Sequence, residues 1–276
     1  MINIREINPA EAPILSAMSD SVNWNVSAAE CELLTVAENM RAFFLEADGE
    51  IAGSAGMVTY EPASLVFINL VIVKPEFRRR GYATMLIEHI LDQTRDYRCK
   101  RLHATPEGSK VYAPMGFKPC NTISFFSAEK PCLQAPGDID VHTMNDEEFT
   151  SAVLRDQQSF GFCRENLLNF SRQQNPALAL AVSDGHIFGR RWKRFRQMAA
   201  LDCQDLNSAM ALAAAASKID DSLPQSIITY DCQKDFQQFL LDGNFVKTRE
   251  MLDMVLGEEP DAPPVNYRAI YGGDMG

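Results

Sequence analysis

Apolar and polar residues alternate along the first part of the chain in patterns that predict a strand, two helices and a hairpin. INIREI at residues 2–7 alternates as a strand does, and helical spacing covers residues 9–19 and 27–40. Asp48 and Gly49 then stand between two apolar runs. An Asp-Gly pair in that position predicts a tight hairpin turn, because the turn that matches strand twist needs positive φ at its centre.

A third strand and a helix follow this hairpin. SLVFINLVIV at residues 64–73 is apolar at almost every position, which predicts a strand buried on both faces. The helix begins near Gly81, since apolar residues recur behind it at helical spacing: Ala83, Leu86, Ile87 and Ile90.

The second half of the chain repeats this order more faintly. A strand-like segment at residues 139–144 precedes helical patterns at 145–160 and 164–174, and Asp184-Gly185 predicts a second hairpin turn. Strand and helix patterns then alternate as strand 197–202, helix 205–218, strand 225–231, helix 234–241 and strand 247–257. The recurrence indicates an internal duplication.

A proline- and glycine-containing stretch, EKPCLQAPGD at residues 129–138, separates the two halves. We predict domains at residues 1–130 and 139–276 with a linker at 131–138. A chain of 276 residues is long enough for two domains of ordinary size.

Composition favours a soluble, cytoplasmic protein without metal. No apolar run approaches the roughly 18 residues that a membrane span needs, and the first residues, MINIREINPAEAP, lack the apolar core of a signal peptide. The seven cysteines are scattered, which predicts reduced thiols rather than disulfides or a zinc site. A net charge of -11 opposes binding to nucleic acid or to an anionic membrane and would attract a cationic partner.

The stretch VKPEFRRRGYATMLIEHI at residues 73–90 carries the chemistry that we consider first. Three arginines precede Gly81 where a helix begins. The N–H groups of a helix's first turn lack partners, and the helix dipole adds partial positive charge at that end. This combination predicts an anion site for phosphate, although a basic helix cap exposed to solvent has the same pattern.

Two motifs in order make the sequence resemble the GNAT superfamily of acetyl-CoA-dependent N-acetyltransferases. Arg78, Gly81 and Ala83 fit the pattern R-x-x-G-x-A, and VYAPMGF follows at residues 111–117. The resemblance is strongest over residues 64–120. It implies a mixed α/β fold of two tandem GNAT-like domains, each with a mostly antiparallel sheet flanked by helices and a splayed central strand pair.

The resemblance also implies which residues bind acetyl-CoA. The end of the strand would pair with pantetheine, and the loop and first helical turn would hold the pyrophosphate through backbone N–H groups. The residues concerned are Leu70, Val71, Ile72 and Val73 in the strand, and Arg78, Arg79, Arg80, Gly81, Tyr82, Ala83 and Thr84 in the loop and helix.

Tyr112, in VYAPMGF, occupies the position of the family's general acid, although it could equally be an aromatic packed beside Phe117. The family's glutamate base falls at Phe67, so no base carries over. His103 is our candidate for ordering a water that removes the amine's proton. Asn69 and Glu107 are further candidates, and each of these three could instead be structural.

The second half resembles the C-terminal module of tandem GNAT proteins without a phosphate loop. Asp202 and Asp205 flank the helix start where arginine and glycine would stand, and an aspartate cap there would repel an anion. We therefore predict a degenerate domain that contributes to the acceptor pocket or steadies the first domain.

RRWKRFR at residues 190–196 is the other basic segment. The segment is compatible with three roles. It could form a twisted hairpin with one solvated face, stack its aromatic residues on nucleic-acid bases, or contact the 3′-phosphate of CoA. The resemblance to the GNAT superfamily implies acetyl transfer to a primary amine of a small molecule or peptide. Its rivals are a noncatalytic acyl-CoA sensor and an adaptor that binds polyanions through RRWKRFR.

Overall fold

The computed structural model describes residues 1–24, 26–61, 64–219, 222–258 and 265–275. They form two compact units. The first contains Met1–Cys120, residues 252–258 and Met275, and the second contains residues 121–251 and 265–274. Both are built from a mixed, mostly antiparallel sheet with helices, as the sequence predicts.

The first unit's sheet has the strand order β1-β2-β3-β4-β5-β12, in which β4 and β5 are parallel and the other pairs antiparallel. Its strands are β1 (Ile2–Glu6), β2 (Met40–Ala47), β3 (Glu50–Tyr60), β4 (Leu65–Val73), β5 (Cys99–Ala104) and the end of β12 (Val246–Gly257). Its helices are α1 (Ala12–Ser21), α2 (Ala28–Val36), α3 (Tyr82–Gln93) and α4 (Pro106–Tyr112).

The core of this unit explains why α3 lies against the sheet. Leu86, Ile87 and Ile90 are fully buried on one face of α3, where they pack against Val66 and Ile68 of β4.

The predicted hairpin turn between β2 and β3 is confirmed, because Asp48 and Gly49 both have positive φ, +53° and +88°. Helix α2 is shorter than predicted, since it ends before residues 37–40.

The second unit's sheet has the order β6-β11-β10-β9-β8-β7, with β10 and β11 parallel, β13 paired to β10, and the first half of β12 beside β6. Its strands are β6 (Lys118–Ala128), β7 (His142–Thr143), β8 (Leu180–Val182), β9 (Gly185–Arg191), β10 (Arg196–Cys203), β11 (Gln225–Tyr230) and β13 (Tyr267–Ala269). Its helices are α5 (Asp146–Phe160), α6 (Glu165–Gln174), α7 (Leu206–Ser217) and α8 (Lys234–Asp242).

The division into units differs from the predicted boundaries at residues 130 and 139. Residues 123–128 of β6 pair with β11 in the second unit, and residues 252–257 of β12 pair with β5 in the first. The apolar pattern of 247–257 predicts a strand correctly but does not say which strand it pairs with, because partners in a sheet can be distant in sequence.

The predicted linker is an ordered part of the second unit. All of residues 129–138 are described, and none of them lies in a helix or strand. Leu133 is nevertheless buried, and the Cys132 N–H donates to the carbonyl of Gly243 at 2.9 Å. The segment is therefore held in place rather than acting as a free connection.

The second predicted hairpin forms, but its turn is shifted by one residue. Val182 pairs with Gly185, so the turn consists of Ser183 and Asp184, and Gly185 is the first residue of β9. An added Cβ at Gly185 would lie 2.3 Å from Cys203 Sγ. The glycine is therefore needed for close packing against β10 and not for the turn.

The same bulge occurs in both units. In β4, Leu70 and Val71 lie opposite the single residue Ala55 of β3, and Leu70 has φ +45°. In β10, Ala200 and Leu201 lie opposite the single residue Ile187 of β9, and Ala200 also has φ +45°. This correspondence supports the predicted internal duplication.

Within the described ranges, no helix is long and apolar enough to cross a membrane. The seven cysteines are all described, and none of them is in a disulfide.

Candidate functional site

Residues 74–81 connect β4 to α3 as an exposed basic loop. Arg78 Nε donates to the carbonyl of Val73 at 3.2 Å, and a terminal nitrogen of Arg80 donates to the carbonyl of Glu76 at 3.2 Å. These bonds use one donor of each side chain. The remaining guanidinium donors stay available on an exposed surface.

The backbone of this loop opens the start of α3 to a ligand. Arg79 and Gly81 have positive φ, +61° and +81°, and Gly81 is the N-cap residue of the helix. No side chain of the described residues caps α3, and no described atom lies within 4 Å of a Cβ built at Gly81. N–H groups in such a turn form a concave site that suits an anion.

Strands β4 and β5 diverge beside this loop, as the family resemblance implies. Their parallel pairing runs from Leu65 opposite Cys99 to Phe67 opposite Arg101 and ends there. Both strands continue beyond that point. Residues 68–73 of β4, which include the bulge, therefore border a cleft where the backbone can pair with a ligand.

Asn69 lies at the point where the two strands separate. It is 5% exposed, and within the described residues neither its amide nitrogen nor its amide oxygen has a hydrogen-bond partner. An added Cβ at Gly56, the residue opposite, would lie 2.2 Å from the Asn69 oxygen, so only glycine fits there. A buried amide without partners is costly, which makes Asn69 a candidate contact for a ligand in the cleft.

Tyr112 ends α4 and is buried. Its ring packs edge-on against Phe117 with centroids 6.1 Å apart and belongs to the same apolar cluster as Tyr82 and Leu86 of α3. Burial raises the pKa of Tyr112 to about 12. Its hydroxyl therefore keeps its proton throughout the neutral range.

A cavity of about 520 Å³ lies between α3, the helix that follows the basic loop, and α4, the helix that ends at Tyr112. Its lining comes from α3 and from the segment around α4: Thr84, Glu88, Leu91, Lys110, Val111, Pro114 and Met115. The structure thus brings Thr84, predicted from the loop motif, next to the VYAPMGF segment.

His103 lies on β5 with a fully buried side chain. Its ring packs edge-on against Phe67 with centroids 4.9 Å apart, and its Nε2 is 3.7 Å from Oδ1 of Asp253. Glu107, the acidic alternative, is instead exposed at the start of α4, where it pairs with Lys110 at 2.8 Å. This contact is at the surface, so Glu107 is not supported as a group of the cleft.

Sequence reasoning missed Asp253, whose carboxylate lies 3.7 Å from the His103 ring. Asp253 lies opposite His103 in the β12–β5 pair and accepts hydrogen bonds from Nε and a terminal nitrogen of Arg101, the first at 2.7 Å. Burial favours the neutral acid, but the bonds from Arg101 outweigh it and hold the pKa of Asp253 below its usual value. The pattern LDMVLG does not indicate that Asp253 forms an ion pair, because its partner Arg101 lies on a strand about 150 residues away in the sequence.

Among its described residues, the second unit has no basic loop at the corresponding helix start. Strand β10 ends at Cys203 and α7 begins at Leu206, which leaves two residues where the first unit has a long basic loop. Asp205 caps α7, since its carboxylate accepts the N–H of Ser208 at 3.0 Å. Asp202 is buried and accepts a hydrogen bond from Ser159. The prediction that Asp202 flanks the helix start with its charge is therefore wrong.

The chain itself fills the cleft of the second unit. Parallel pairing between β10 and β11 ends at Met198 opposite Ile227. Beyond that point β13 pairs with β10, and the Ile270 N–H donates to the carbonyl of Ile228 in β11 at 3.0 Å. A strand of the protein thus lies between the splayed strands of the second unit, whereas no described strand pairs in the same place between β4 and β5.

RRWKRFR is the tip of the β9–β10 hairpin, and two of its arginines point into the second unit. Arg190 is buried and pairs with Asp274 at 2.9 Å. Arg196 is fully buried and donates to the carbonyl of Ala216, near the end of α7, at 2.8 Å. Because these two charges are used inside the fold, the segment does not present five cations on one face, which weighs against polyanion binding.

Comparison with known proteins agrees with this geometry. Residues 6–117 match the model of the acetyltransferase (GNAT) family. Over 142 residues the chain is 28% identical to the uncharacterized N-acetyltransferase YitH of Bacillus subtilis (strain 168), a match that covers 50% of this chain and 49% of YitH. The chain therefore spans about half the length of the curated relative it matches.

Solved structures show the same fold over nearly the whole chain. A candidate acetyltransferase from Pyrococcus horikoshii is similar with a TM-score of 0.82 at 17% identity, covering 100% of this chain and 96% of that one. A tandem GNAT protein from the clavulanic acid biosynthesis pathway is similar with a TM-score of 0.66 at 10% identity, covering 95% and 100%. These likenesses show the fold alone, which the chain shares with both proteins over nearly its whole length.

Proposed function

We propose that this chain, whose residues 6–117 match the model of the acetyltransferase (GNAT) family, transfers an acetyl group from acetyl-CoA to a primary amine of a small molecule or peptide. One observation carries the proposal: an uncapped helix start with three exposed arginines lies at the end of a strand that separates from its neighbour. This arrangement suits a ligand with a phosphate group joined to an extended arm.

The residues of the loop and of β4 would bind the two parts of acetyl-CoA. The backbone N–H groups of residues 78–84, with the arginine side chains, would hold the pyrophosphate. The backbone of Leu70–Val73 would pair with the pantetheine arm, and Asn69 would offer its amide to the ligand beside the bulge. Seven cysteines without a disulfide fit a reducing compartment, so we propose that the reaction takes place in the cytoplasm.

Tyr112 would act as the general acid when the thioester bond breaks. The amine attacks the carbonyl carbon, and the C–S bond then cleaves as the sulfur takes a proton. With a pKa of about 12, Tyr112 is a weaker acid than the thiol it would generate, whose pKa is about 8.5. Complete transfer is therefore uphill, and its main contribution would be a hydrogen bond to the departing sulfur.

His103 would accept the proton of the attacking amine through a water molecule. The Asp253 carboxylate, 3.7 Å from Nε2, would stabilise the imidazolium that forms. The net charge of -11 favours a cationic acceptor, which must lose a proton before it attacks.

A screen of amines and peptides for release of CoA from acetyl-CoA tests this function. We expect at least one amine to accelerate release and to appear acetylated by mass spectrometry. Saturable binding of acetyl-CoA without turnover by any amine would instead favour a noncatalytic acyl-CoA sensor. That alternative has one observation in its favour, because Phe67 stands where relatives place a glutamate base.

Replacing Tyr112 by phenylalanine should lower kcat by about 10²-fold, the low end of the range for acid–base assistance, because the hydrogen bond to sulfur is lost. The affinity for acetyl-CoA should change little, as isothermal titration calorimetry would show. Tyr97→Phe is the matched control, since Tyr97 lies in the same unit between α3 and β5. Normal kcat in Tyr112→Phe would assign Tyr112 a packing role.

One acetyl-CoA should bind per chain rather than two. The second unit has a short connection, an aspartate cap at α7 and β13 in its cleft, and each of these excludes a phosphate-bearing arm. Calorimetric titration of the full chain should give a stoichiometry near one. A stoichiometry near two would contradict the degenerate character of the second unit.

A further inference from the structure

A cavity of about 340 Å³ lies within the second unit, between α5 and the strands β7, β8 and β9. On its floor, His142 lies opposite Ala181, and Ala181 lies opposite His186. Residues directly opposite in antiparallel strands project from the same face, so the three side chains form one row. The alanine methyl leaves a gap between the two imidazoles, and Ala152 of α5 is equally small above it.

The inner end of this cavity holds two polar side chains, His186 and Arg155, that have no hydrogen-bond or ion-pair partner among the described residues. His186 is 1% exposed, and among the described residues neither of its ring nitrogens has a hydrogen-bond partner. Arg155 of α5 also lines the cavity and forms no ion pair or hydrogen bond with any described residue. Leaving a buried imidazole unsatisfied costs free energy that a ligand could recover.

The charges around this inner end favour an anion. Burial lowers the pKa of His186 to about 4, so at neutral pH the ring is uncharged and has one N–H to donate. Of the two carboxylates behind it, Asp156 is paired with Arg164 and Asp202 accepts a hydrogen bond from Ser159. Burial raises the pKa of Asp202, which favours its neutral form, and Arg155 attracts this carboxylate without forming an ion pair with it. The guanidinium of Arg155 is therefore the cation of this end with which the carboxylate of a ligand can pair.

The outer end of the cavity is acidic and already paired. His142 Nε2 is hydrogen-bonded to Glu148 at 2.6 Å, and its Nδ1 is 3.8 Å from Asp140. Glu148 also accepts the backbone N–H of Asn145 at 2.9 Å. A second negative group on a ligand would therefore be repelled here, whereas a neutral or cationic group would be accepted.

We propose that this cavity binds a small monocarboxylate of amino-acid size, with the carboxylate on Arg155 and the His186 N–H and the other end of the ligand toward Glu148 and Asp140. Arginine suits this role because its planar fork matches two carboxylate oxygens. The cavity is at the small end of the range for ligand sites, about 300–1,000 Å³. This site is separate from the proposed acetyl-transfer site and does not depend on it.

Histidine NMR tests the proposal directly, because the chain has four histidines. With ¹⁵N-labelled histidine, the ring signals of the full-length protein are recorded during titration with butyrate or L-lysine. Butyramide and L-lysinamide serve as matched probes without a carboxylate. We expect the His186 signal, identified by its loss in His186→Gln, to shift saturably with the two carboxylates and not with the amides.

Variants separate this site from general charge effects. Arg155→Gln should weaken binding of the carboxylates at least tenfold, whereas Arg194→Gln, which removes the same charge at an exposed position, should not. Ala181→Val should also abolish binding by filling the gap, and it keeps the test available if Arg155→Gln does not fold. Non-saturable shifts with both carboxylates, equal binding of the amides, or unchanged binding in the folded Arg155→Gln protein would overturn the proposal.

Discussion

Asp253→Ala is expected to destabilise the protein by about 3–5 kcal/mol, because it leaves the buried guanidinium of Arg101 without its carboxylate. Both side chains of this pair are almost inaccessible to solvent, and two hydrogen bonds join them. Urea unfolding of the full chain would measure the loss.

The stability that this pair contributes should also depend on pH. Because the folded pKa of Asp253 lies below its unfolded value, the contribution is present above about pH 4 and is lost as the pH falls through the folded pKa.

Two further variants show whether the ion pair itself is responsible. Glu258→Ala removes a carboxylate from the exposed pair with Arg98, which should cost less than about 1 kcal/mol. Replacing both partners, as Arg101→Met with Asp253→Leu, should recover much of the stability lost in Asp253→Ala, because no buried charge remains. Equal losses for Asp253→Ala and Glu258→Ala would contradict this account.

Gly81→Val is expected to weaken acetyl-CoA binding by about 10²-fold or more, which corresponds to losing two charge-assisted hydrogen bonds to phosphate. Valine is strained at φ +81° and would place its branched side chain at the start of α3, where the pyrophosphate is proposed to lie. Calorimetric titration with acetyl-CoA would measure the change.

Gly49→Val is the matched control for this experiment. Gly49 has φ +88°, and among the described residues no atom lies within 4 Å of an added Cβ, as at Gly81. Gly81→Val and Gly49→Val should therefore lower the free energy of unfolding by a similar amount, about 1–3 kcal/mol, because each strains the backbone at a positive φ. Unchanged affinity in Gly81→Val, or an equal loss in Gly49→Val, would refute the assignment of the loop.

The sequence predicts well those elements that are determined by residues close to one another in the chain. Strand β4, the loop and helix α3 follow one another within 30 residues, and their burial pattern, glycine and helix cap can all be read from the chain. The Asp205 cap of α7 was predicted correctly for the same reason. Its neighbour Asp202 was not, because only the fold determines that it lies beneath Ser159 of α5.

Features that depend on distant pairing could not be predicted in the same way. Strand β13 consists of Tyr267–Ala269, which is too short to show any period, and it forms because β10 and β11 leave backbone groups without partners. Strand β12 shows its apolar pattern plainly, yet the pattern cannot say that one half joins each unit. Asp253 was overlooked as a neighbour of His103 because it lies in the half that joins β5.

The shared strand β12 also sets the order in which the protein can be completed during its synthesis. The first unit's residues up to Cys120 are made early, but the strand that covers β5 is made only after nearly all of the second unit. At roughly 5–20 residues per second, the delay is on the order of ten to thirty seconds. During that time β5 is an uncovered edge on the nascent chain, and such an edge pairs readily with other chains. We therefore expect the yield of native protein to depend on chaperones that shield this edge until translation reaches residue 257.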